Sequence, residues 1–171
     1  MNAGNLNRAF SKTILKPSHA SLMLMNIINF SDILKRYAEE ERNFQNFNLS
    51  RVDLKGADLQ GIDFSYANLN SADLSSTNLI DTNLIGTDLN RANLRQANLS
   101  QACLLHSSLF WADLKEATLV NANLSHALLN HANLTSACLK GANLSETSLQ
   151  GACLVQAILS QANLLKANWR C

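Results

Sequence analysis

The sequence predicts an all-β fold, a solenoid of short extended steps over residues 44–171. A large apolar residue, nearly always Leu, recurs at every fifth position from Phe44 to Trp169 without a slip of register. The residue two places earlier is small, usually Ala from Ala57 onward, and the residue between the two is mostly Asn or Asp. The unit A-(N/D)-L-x-x therefore repeats about 25 times, and such repetition decides the architecture before local propensity does.

A period of five excludes the two common elements of secondary structure. An α-helix turns by about 100° per residue, so leucines five residues apart would scatter around it. A continuous strand alternates its side chains with a period of two, so an odd period would move the leucines from face to face. The pattern fits a short extended step followed by a corner. We expect the Leu and the small residue to point inward, the Asn or Asp between them to point outward, and the two x residues to form a corner that faces water.

The repeat resembles the pentapeptide-repeat family over residues 44–171. This resemblance implies a right-handed quadrilateral β-helix in which four steps close a square coil of about 20 residues. Stacked at about 4.8 Å, as neighbouring strands are, the repeats would form about six coils, and residues 20 apart would lie above one another in columns. The segment L-K-R-Y-A-x-x-E-R-N-F, from Leu34 to Phe44, is similar to the start of many cyanobacterial members.

A short N-terminal capping helix is predicted over residues 31–43, with Ser31 as its N-cap. Four apolar residues share one helical face: Ile33, Leu34, Tyr37 and Ala38. We expect this face to cover the open core and the unpaired edge of the first coil. Residues 1–30 are expected to form a partly disordered extension. The resemblance also suggests that Met25 is the natural start, which would make residues 1–24 an addition.

The carboxyl end leaves two alternatives open. Trp169 occupies a position that Leu holds elsewhere, and it could act as a lid on the last coil. Alternatively, the edge of the last coil meets a second copy end-on and gives a two-fold homodimer, as some members of the resembled family do.

Composition argues against nucleic-acid and membrane partners. The formal net charge is +1, from 14 Lys and Arg against 13 Asp and Glu, and this balance indicates no affinity for polyanions. The stretch Pro17–Ser31 is uncharged but contains too many polar residues for a span of about 20 apolar residues. Four cysteines show neither C-x-x-C nor zinc-site spacing: Cys103, Cys138, Cys153 and Cys171. We expect reduced thiols in a cytoplasmic protein.

One outward column could hold a metal ion. His106, His126 and Glu146 lie 20 residues apart, which places two imidazoles and a carboxylate in one column. We prefer the structural interpretation, surface side chains that stack because all residues in a solenoid stack, and we expect no metal and no cofactor. No phosphate-binding loop, nucleophile elbow or catalytic dyad is present in the sequence, which argues against an enzyme.

The best candidate binding site is a group of outward apolar and basic residues. It consists of Ile85, Leu105, Phe110 and Trp111, flanked by Arg91 and Arg95. We expect these side chains to lie close together, and aromatic residues with Arg are typical of binding hot spots. The alternative interpretation is local packing of large side chains on a flat face.

The sequence leaves two functions open. The first is a non-enzymatic scaffold or regulatory module that presents flat solenoid faces to an unidentified partner protein. The second is a DNA mimic that protects a topoisomerase such as gyrase, as one branch of the resembled family does. Mimicry of duplex phosphates requires a strongly acidic surface. Residues 44–171 carry eight basic and nine acidic residues, so this balance favours the scaffold.

Overall fold

The structure is a computed structural model that describes residues 30–169. One helix, α1 (Phe30–Ala38), precedes a solenoid in which the chain makes a regular series of parallel bridges. Each bridge joins residues 20 apart, from Asn43 with Asp63 to Ser148 with Asn168. Each side of the coil contributes a single bridge, so the described residues contain no longer strand. The 20-residue coil and its stacked columns are therefore confirmed.

Backbone hydrogen bonds hold successive coils together on every side. The N–H of Leu49 donates to the carbonyl of Asn68 at 2.7 Å, and the N–H of Asn68 donates back to the carbonyl of Phe47 at 2.9 Å. This pair repeats at every fifth residue up to Leu149. Because each coil bonds only to its two neighbours, stability adds up coil by coil.

The core is filled by the residues that the period of five assigns to it. Leucines from Leu54 to Leu144 at this position have no exposed surface, and the alanines two places earlier are buried with them. Thr replaces Ala at a few of these sites, where its hydroxyl needs a partner. The Thr87 hydroxyl donates to the carbonyl of Phe64 at 2.8 Å, which lets a polar residue of small size enter the core. The inward assignment is confirmed.

Each corner is a tight turn whose second residue is left-handed. The N–H of Ala57 donates to the carbonyl of Leu54 at 3.0 Å, and Gly56 between them has φ +66°. A positive φ at this place is typical of a type II turn. Most corners carry other residues there, such as Trp111 at φ +61°. Glycine is favoured at position 86 for a further reason. An added Cβ would lie 2.7 Å from the ring of Tyr66, which occupies the corner of the preceding coil.

The Asn and Asp residues between the two inward positions complete the corners. Oδ1 of Asp53 accepts a hydrogen bond at 3.1 Å from the N–H of Lys55, the first corner residue. This N–H points away from the next coil, so a side chain two residues earlier is the natural acceptor. The same side chains also bond along their column, as Asn78 Nδ2 does to Asp58 Oδ1 at 2.8 Å. Asn and Asp are therefore structural at this position.

The prediction that both corner residues face water was wrong for the first of them in several coils. Ser65, Ser75 and Ser125 are buried, with 4%, 8% and 7% of their surface exposed. The Ser125 hydroxyl donates to Oδ1 of Asn123 at 2.7 Å, and the side chains of Ser65 and Ser75 bond in the same way to Asp63 and Asp73, which holds them against the coil. The second corner residue is the more reliably exposed of the two.

Helix α1 packs on the amino-terminal end of the solenoid. Ile33 is fully buried within the same apolar core as the leucines. The Tyr37 hydroxyl donates to the carbonyl of Gln60 at 2.8 Å, and Arg36 lies over the ring of Phe44 at 5.1 Å. The helix ends at Ala38, short of the predicted limit at residue 43, because Asn43 already pairs with Asp63 in the solenoid. The expectations for residues 1–29 and for Met25 lie outside the described residues.

Between residues 30 and 169, no helix has the length and apolar character needed to cross a lipid bilayer.

Candidate functional site

Four columns of corners run along the solenoid, and two of them frame the candidate site. We call the column of residues 50/51, 70/71, 90/91, 110/111, 130/131 and 150/151 the Trp111 corner. The column that precedes it, which contains residues 85/86, 105/106 and 125/126, is the His106 corner. One side of the solenoid separates them, with Ser108 and Leu128 as its outward residues in two adjacent coils.

Trp111 is the most prominent side chain at the Trp111 corner. It is 59% exposed, and its indole stacks on the imidazole of His131 in the next coil. The ring centroids are 4.2 Å apart and the planes differ by 11°. The solenoid repeat imposes this stack, because the two residues are 20 apart. The left-handed backbone at both positions directs the side chains away from the core.

Phe110 is held in place by an unusual cap. The hydroxyl of Ser108 does not accept a hydrogen bond from the N–H of Phe110, as the Asn or Asp side chain does in other coils. Instead Asn90, one coil earlier, accepts that N–H through Oδ1 at 2.8 Å, and the same oxygen accepts the hydroxyl of Ser108 at 2.7 Å. The backbone beneath Phe110 and Trp111 is therefore fixed by a side chain of the neighbouring coil.

Leu128 was missed by the sequence prediction. It occupies a position where the repeat supplies Asn or Asp, and it is 41% exposed. It cannot cap the following corner, and Oδ1 of Asn130 is buried without a hydrogen-bond partner in the described part of the chain. The sequence does carry a signal for it, since Leu128 interrupts an otherwise polar column.

The structure separates the six predicted site residues over three corners. Ile85 and Leu105 lie at the His106 corner in adjacent coils, where both are partly buried. Phe110, Trp111 and Arg91 lie at the Trp111 corner, which is one side of the solenoid away. Arg95 lies one corner further on, and its guanidinium pairs with Asp113 at 3.1 Å. Leu105, Phe110, Trp111 and the added Leu128 occupy the His106 and Trp111 corners and the side between them in two adjacent coils, and we call them the Trp111 surface.

The histidine column exists as the sequence implied. The rings of His106 and His126 stack with centroids 4.9 Å apart, and Nδ1 of His126 lies 3.5 Å from a carboxylate oxygen of Glu146. The other oxygen of Glu146 contacts the ammonium of Lys166 at 3.5 Å. In the described part of the chain, no group of three or more His, Cys, Asp or Glu side chains is arranged to hold a metal ion. The column is a row of stacked and paired surface groups.

One exposed thiol has a distinct environment. The hydroxyl of Thr135 lies 3.3 Å from the sulfur of Cys153, and together with the N–H of Val155 it lowers the pKa of that thiol below its usual value. Cys153 sits where Asn or Asp normally accepts the corner N–H, so the sulfur takes over this capping role. Cys103, Cys138 and Cys153 are free thiols. Within residues 30–169, neither a base nor a second thiol is in contact with Cys153.

The arrangement of the core and the outward columns defines the class of protein. A filled core, outward columns of side chains and an exposed aromatic corner describe a rigid β-solenoid. A surface depression of about 580 Å³ lies elsewhere, lined by Asp53, Lys55, Gly56 and Ser76, and it is open to solvent.

Comparison with known proteins identifies this solenoid. The model of the family described as pentapeptide repeats matches in 8 copies, over residues 41–70, 48–84, 72–105, 107–145 and 142–168. The chain therefore belongs to the pentapeptide-repeat family, whose members form right-handed quadrilateral β-helices. No curated protein matched the sequence.

Several solved structures are similar to this chain. HetL, a pentapeptide-repeat protein involved in heterocyst differentiation regulation from the cyanobacterium Nostoc sp. strain PCC 7120, is 26% identical over 82% of this chain and 97% of its own, with a TM-score of 0.30. Rfr23 from the cyanobacterium Cyanothece 51142 is 28% identical over 86% and 99%, with a TM-score of 0.38. QnrB1, a plasmid-mediated fluoroquinolone resistance protein, is 20% identical over 74% and 69%, with a TM-score of 0.44.

Proposed function

We propose that this chain is a non-enzymatic, cytoplasmic scaffold that binds a partner protein through the Trp111 surface. The observation that carries the proposal is Leu128. It exposes 41% of its surface at a position where the repeat favours a polar cap. Giving up that cap forgoes a local hydrogen bond, a contribution of about 1 kcal/mol. An apolar residue that is unfavourable for the fold and exposed to water supports a role in binding.

The surroundings of Leu128 support the same conclusion. Leu105 and Phe110 lie at the two corners that flank its side of the solenoid, one coil earlier, and Trp111 extends the apolar area outward. The backbone beneath them is held by coil-to-coil hydrogen bonds, so little ordering remains to be done when a partner binds. Aromatic side chains on a rigid support are the usual centres of protein interfaces.

Protection of a topoisomerase by DNA mimicry is the alternative function. The carboxylates of the solenoid argue against it, because several of them are already engaged in the fold. Asp53, Asp63 and Asp73 accept corner N–H groups, and Asp113 pairs with Arg95. A supercoiling assay with purified gyrase and a quinolone separates the two functions, and we expect no protection.

The decisive variant for the scaffold is Leu128→Asn, which restores the residue favoured by the repeat. We expect the variant to unfold at the same temperature as the wild type or slightly higher, because Asn regains the corner cap, worth about 1 kcal/mol. We also expect it to lose the partner in affinity capture from the native cell. The double variant Phe110→Ser and Trp111→Ser should lose the same partner.

Thr118→Asn is the matched control, because it restores the same cap on a different side of the solenoid. It should gain similar stability and retain the partner. If Leu128→Asn and the Phe110/Trp111 double variant both capture the partner as well as the wild type does, the Trp111 surface is not the binding site and the proposal fails.

An end-on homodimer is a second contact that we propose to test. In the last described coil, Val155 and Leu165 are 61% and 66% exposed, and Trp169 is 41% exposed. Burial of these side chains against a second copy would stabilise a dimer. Sedimentation equilibrium of the wild type and of Leu165→Lys decides the matter, since the dimer predicts that the substitution yields monomers. A wild-type monomer at all concentrations would favour Trp169 as a lid.

A further inference from the structure

The Trp111 corner differs from the other three corners in its charge. Its corner positions hold no carboxylate between residues 50 and 151, whereas the other columns contain Glu146, Glu116 and Asp81. Four carboxylates lie on the adjoining sides, Asp88 on one and Asp53, Asp73 and Asp113 on the other, and each makes a hydrogen bond or ion pair within the fold. Asp88 accepts the N–H of Asn90 at 2.9 Å, and Asp113 pairs with Arg95. The formally charged side chains at the corner positions themselves, Arg51 and Arg91, are therefore both basic.

Two arginines of this corner have no internal partner. Arg51 and Arg91 are exposed, and their guanidinium groups make no hydrogen bond or ion pair with any residue that the structure describes. Three other basic groups of the solenoid form ion pairs, Arg95 with Asp113, Lys115 with Glu116 at 3.6 Å, and Lys166 with Glu146, whereas Lys55 and Lys140 form none with the described residues. Free guanidinium groups keep their full capacity for bidentate binding of carboxylates.

The spacing of these groups is regular. Arg51, Arg91 and His131 lie 40 residues apart in sequence, which is two coils. At about 4.8 Å per coil, successive groups are about 9.6 Å apart along the axis. Trp111 occupies the coil between Arg91 and His131, so an apolar contact lies between the second and third polar groups.

This spacing matches one peptide conformation better than the others. A polyproline II helix has three residues per turn and rises about 3.1 Å per residue, so every third side chain returns to the same side after about 9.3 Å. A β-strand turns its third neighbour to the opposite face. An α-helix repeats its face after seven residues, about 10.5 Å, and would be about 2 Å out of step by the third group.

We propose that the Trp111 corner binds a segment of the partner protein in the polyproline II conformation, with a carboxylate at every third residue. The inference rests on the proposed scaffold function and names the chemistry of its partner. Arg51 and Arg91 bind two successive carboxylates, and the imidazole N–H of His131 donates to the third. A proline between the second and third carboxylates packs on the exposed indole of Trp111, as proline-rich ligands do on aromatic grooves.

The experiment uses a fluorescein-labelled nonapeptide, Asp-Pro-Pro repeated three times, and measures fluorescence anisotropy with the full chain at about 50 mM salt. Wild type should bind, and Arg91→Glu and Arg51→Glu should each weaken binding by about tenfold or more. Trp111→Ala should weaken binding too. Lys140→Glu is the matched control on the opposite corner, with the same change of charge at another exposed, unpaired residue, and it should change binding by less than about twofold.

Three further probes sharpen the result. A peptide with three adjacent aspartates followed by six prolines has the same charge in the wrong spacing, and it should bind about fivefold more weakly. The peptide Lys-Pro-Pro repeated three times should not bind. An oligothymidylate should compete less well than the aspartate peptide.

Several results would overturn the inference. They are no binding of the spaced peptide, equal binding of the clustered one, equal losses in Lys140→Glu and Arg91→Glu, and stronger competition by the oligonucleotide. If these peptides do not bind while Leu128→Asn still loses the partner, the acidic ligand is excluded and the scaffold function is retained. If Leu128→Asn and the Phe110/Trp111 double variant both retain the partner, the proposed scaffold function is excluded as well.

Discussion

The two ends of the solenoid differ in how completely the apolar core is buried. At the amino-terminal end, Ile33 of α1 and Phe44 of the first coil are fully buried. In the last described coil, Leu154 and Leu159 hold inward positions but remain partly exposed. The repeat supplies the walls and the filling of the coil at both ends. A core layer is nevertheless sealed only by the next coil or by an element that lies outside the repeat.

At the amino-terminal end, aromatic and charged side chains connect α1 to the first coil. Arg36 lies 5.1 Å from the ring centroids of both Phe44 and Phe47, and it also forms an ion pair with Glu41. The hydrogen bond from Arg36 lowers the pKa of the Glu41 carboxyl below its usual value. The guanidinium therefore links α1, the turn that follows it and the first coil. We propose that α1 acts as a cap.

The largest expected effect comes from Ile33→Asp. The substitution places an unpaired carboxylate against the core of the first coil, which should lower the free energy of unfolding by about 4 kcal/mol. Urea denaturation followed by circular dichroism measures this change. Lys35→Ala, at an exposed position of the same helix, is the control and should have little effect. A loss below about 1 kcal/mol for Ile33→Asp would show that α1 does not seal this end.

Much of this fold was predictable from the sequence, because one period fixes the inward residues and the columns. The coil of 20 residues, the buried leucines and the stacking of His106 on His126 all follow from it. The candidate site was only partly predictable. Column order does not show which side chains meet across a side, so Arg95 was grouped with Trp111 although it pairs with Asp113.

Leu128 and Asn90 show a second limit of the sequence. Leu128 could have been found, because it interrupts a polar column. The hydrogen bond from the N–H of Phe110 to Asn90 could not have been found from the sequence. It forms because Ser108 does not accept this N–H and the side chain of Asn90 reaches it from the neighbouring coil. A substitution at one position changes the hydrogen bonds at another through the three-dimensional arrangement of the side chains. The five-residue period of the sequence carries no information about that arrangement.

The second expected effect compares the same core position at the two ends. Leu59→Ala removes a fully buried side chain and should lower the free energy of unfolding by about 3 kcal/mol. Leu159→Ala lies five coils further along the same column, where the side chain is partly exposed, and should cost about half as much. Urea denaturation of both variants measures the difference. Equal losses would mean that the last coil is covered in solution, which the homodimer predicts at high protein concentration.

The smallest expected effect concerns acid sensitivity, which should be concentrated toward the amino-terminal end. Burial opposes the ionisation of Asp63, but hydrogen bonds from Ser65, Gln45 and Asn83 outweigh it and hold the pKa of the carboxyl below its usual value. The pKa of Asp73 is lowered in the same way. In the column of Asp63, the later coils carry neutral amides at 123, 143 and 163, which cap the corners at any pH.

A carboxyl whose pKa is depressed in the folded state stabilises the protein above its unfolded pKa, near 4, and this contribution is lost as the pH falls through the folded value. Asp63→Asn combined with Asp73→Asn keeps the acceptor Oδ1 and removes the titration. The double variant should therefore lose less stability than the wild type between pH 7 and pH 3, with a difference on the order of 1 kcal/mol. Asp81→Asn, at an exposed second corner position, is the control and should behave as the wild type does. An identical decline in wild type and double variant would place the acid-sensitive groups elsewhere and remove this contrast between the two ends.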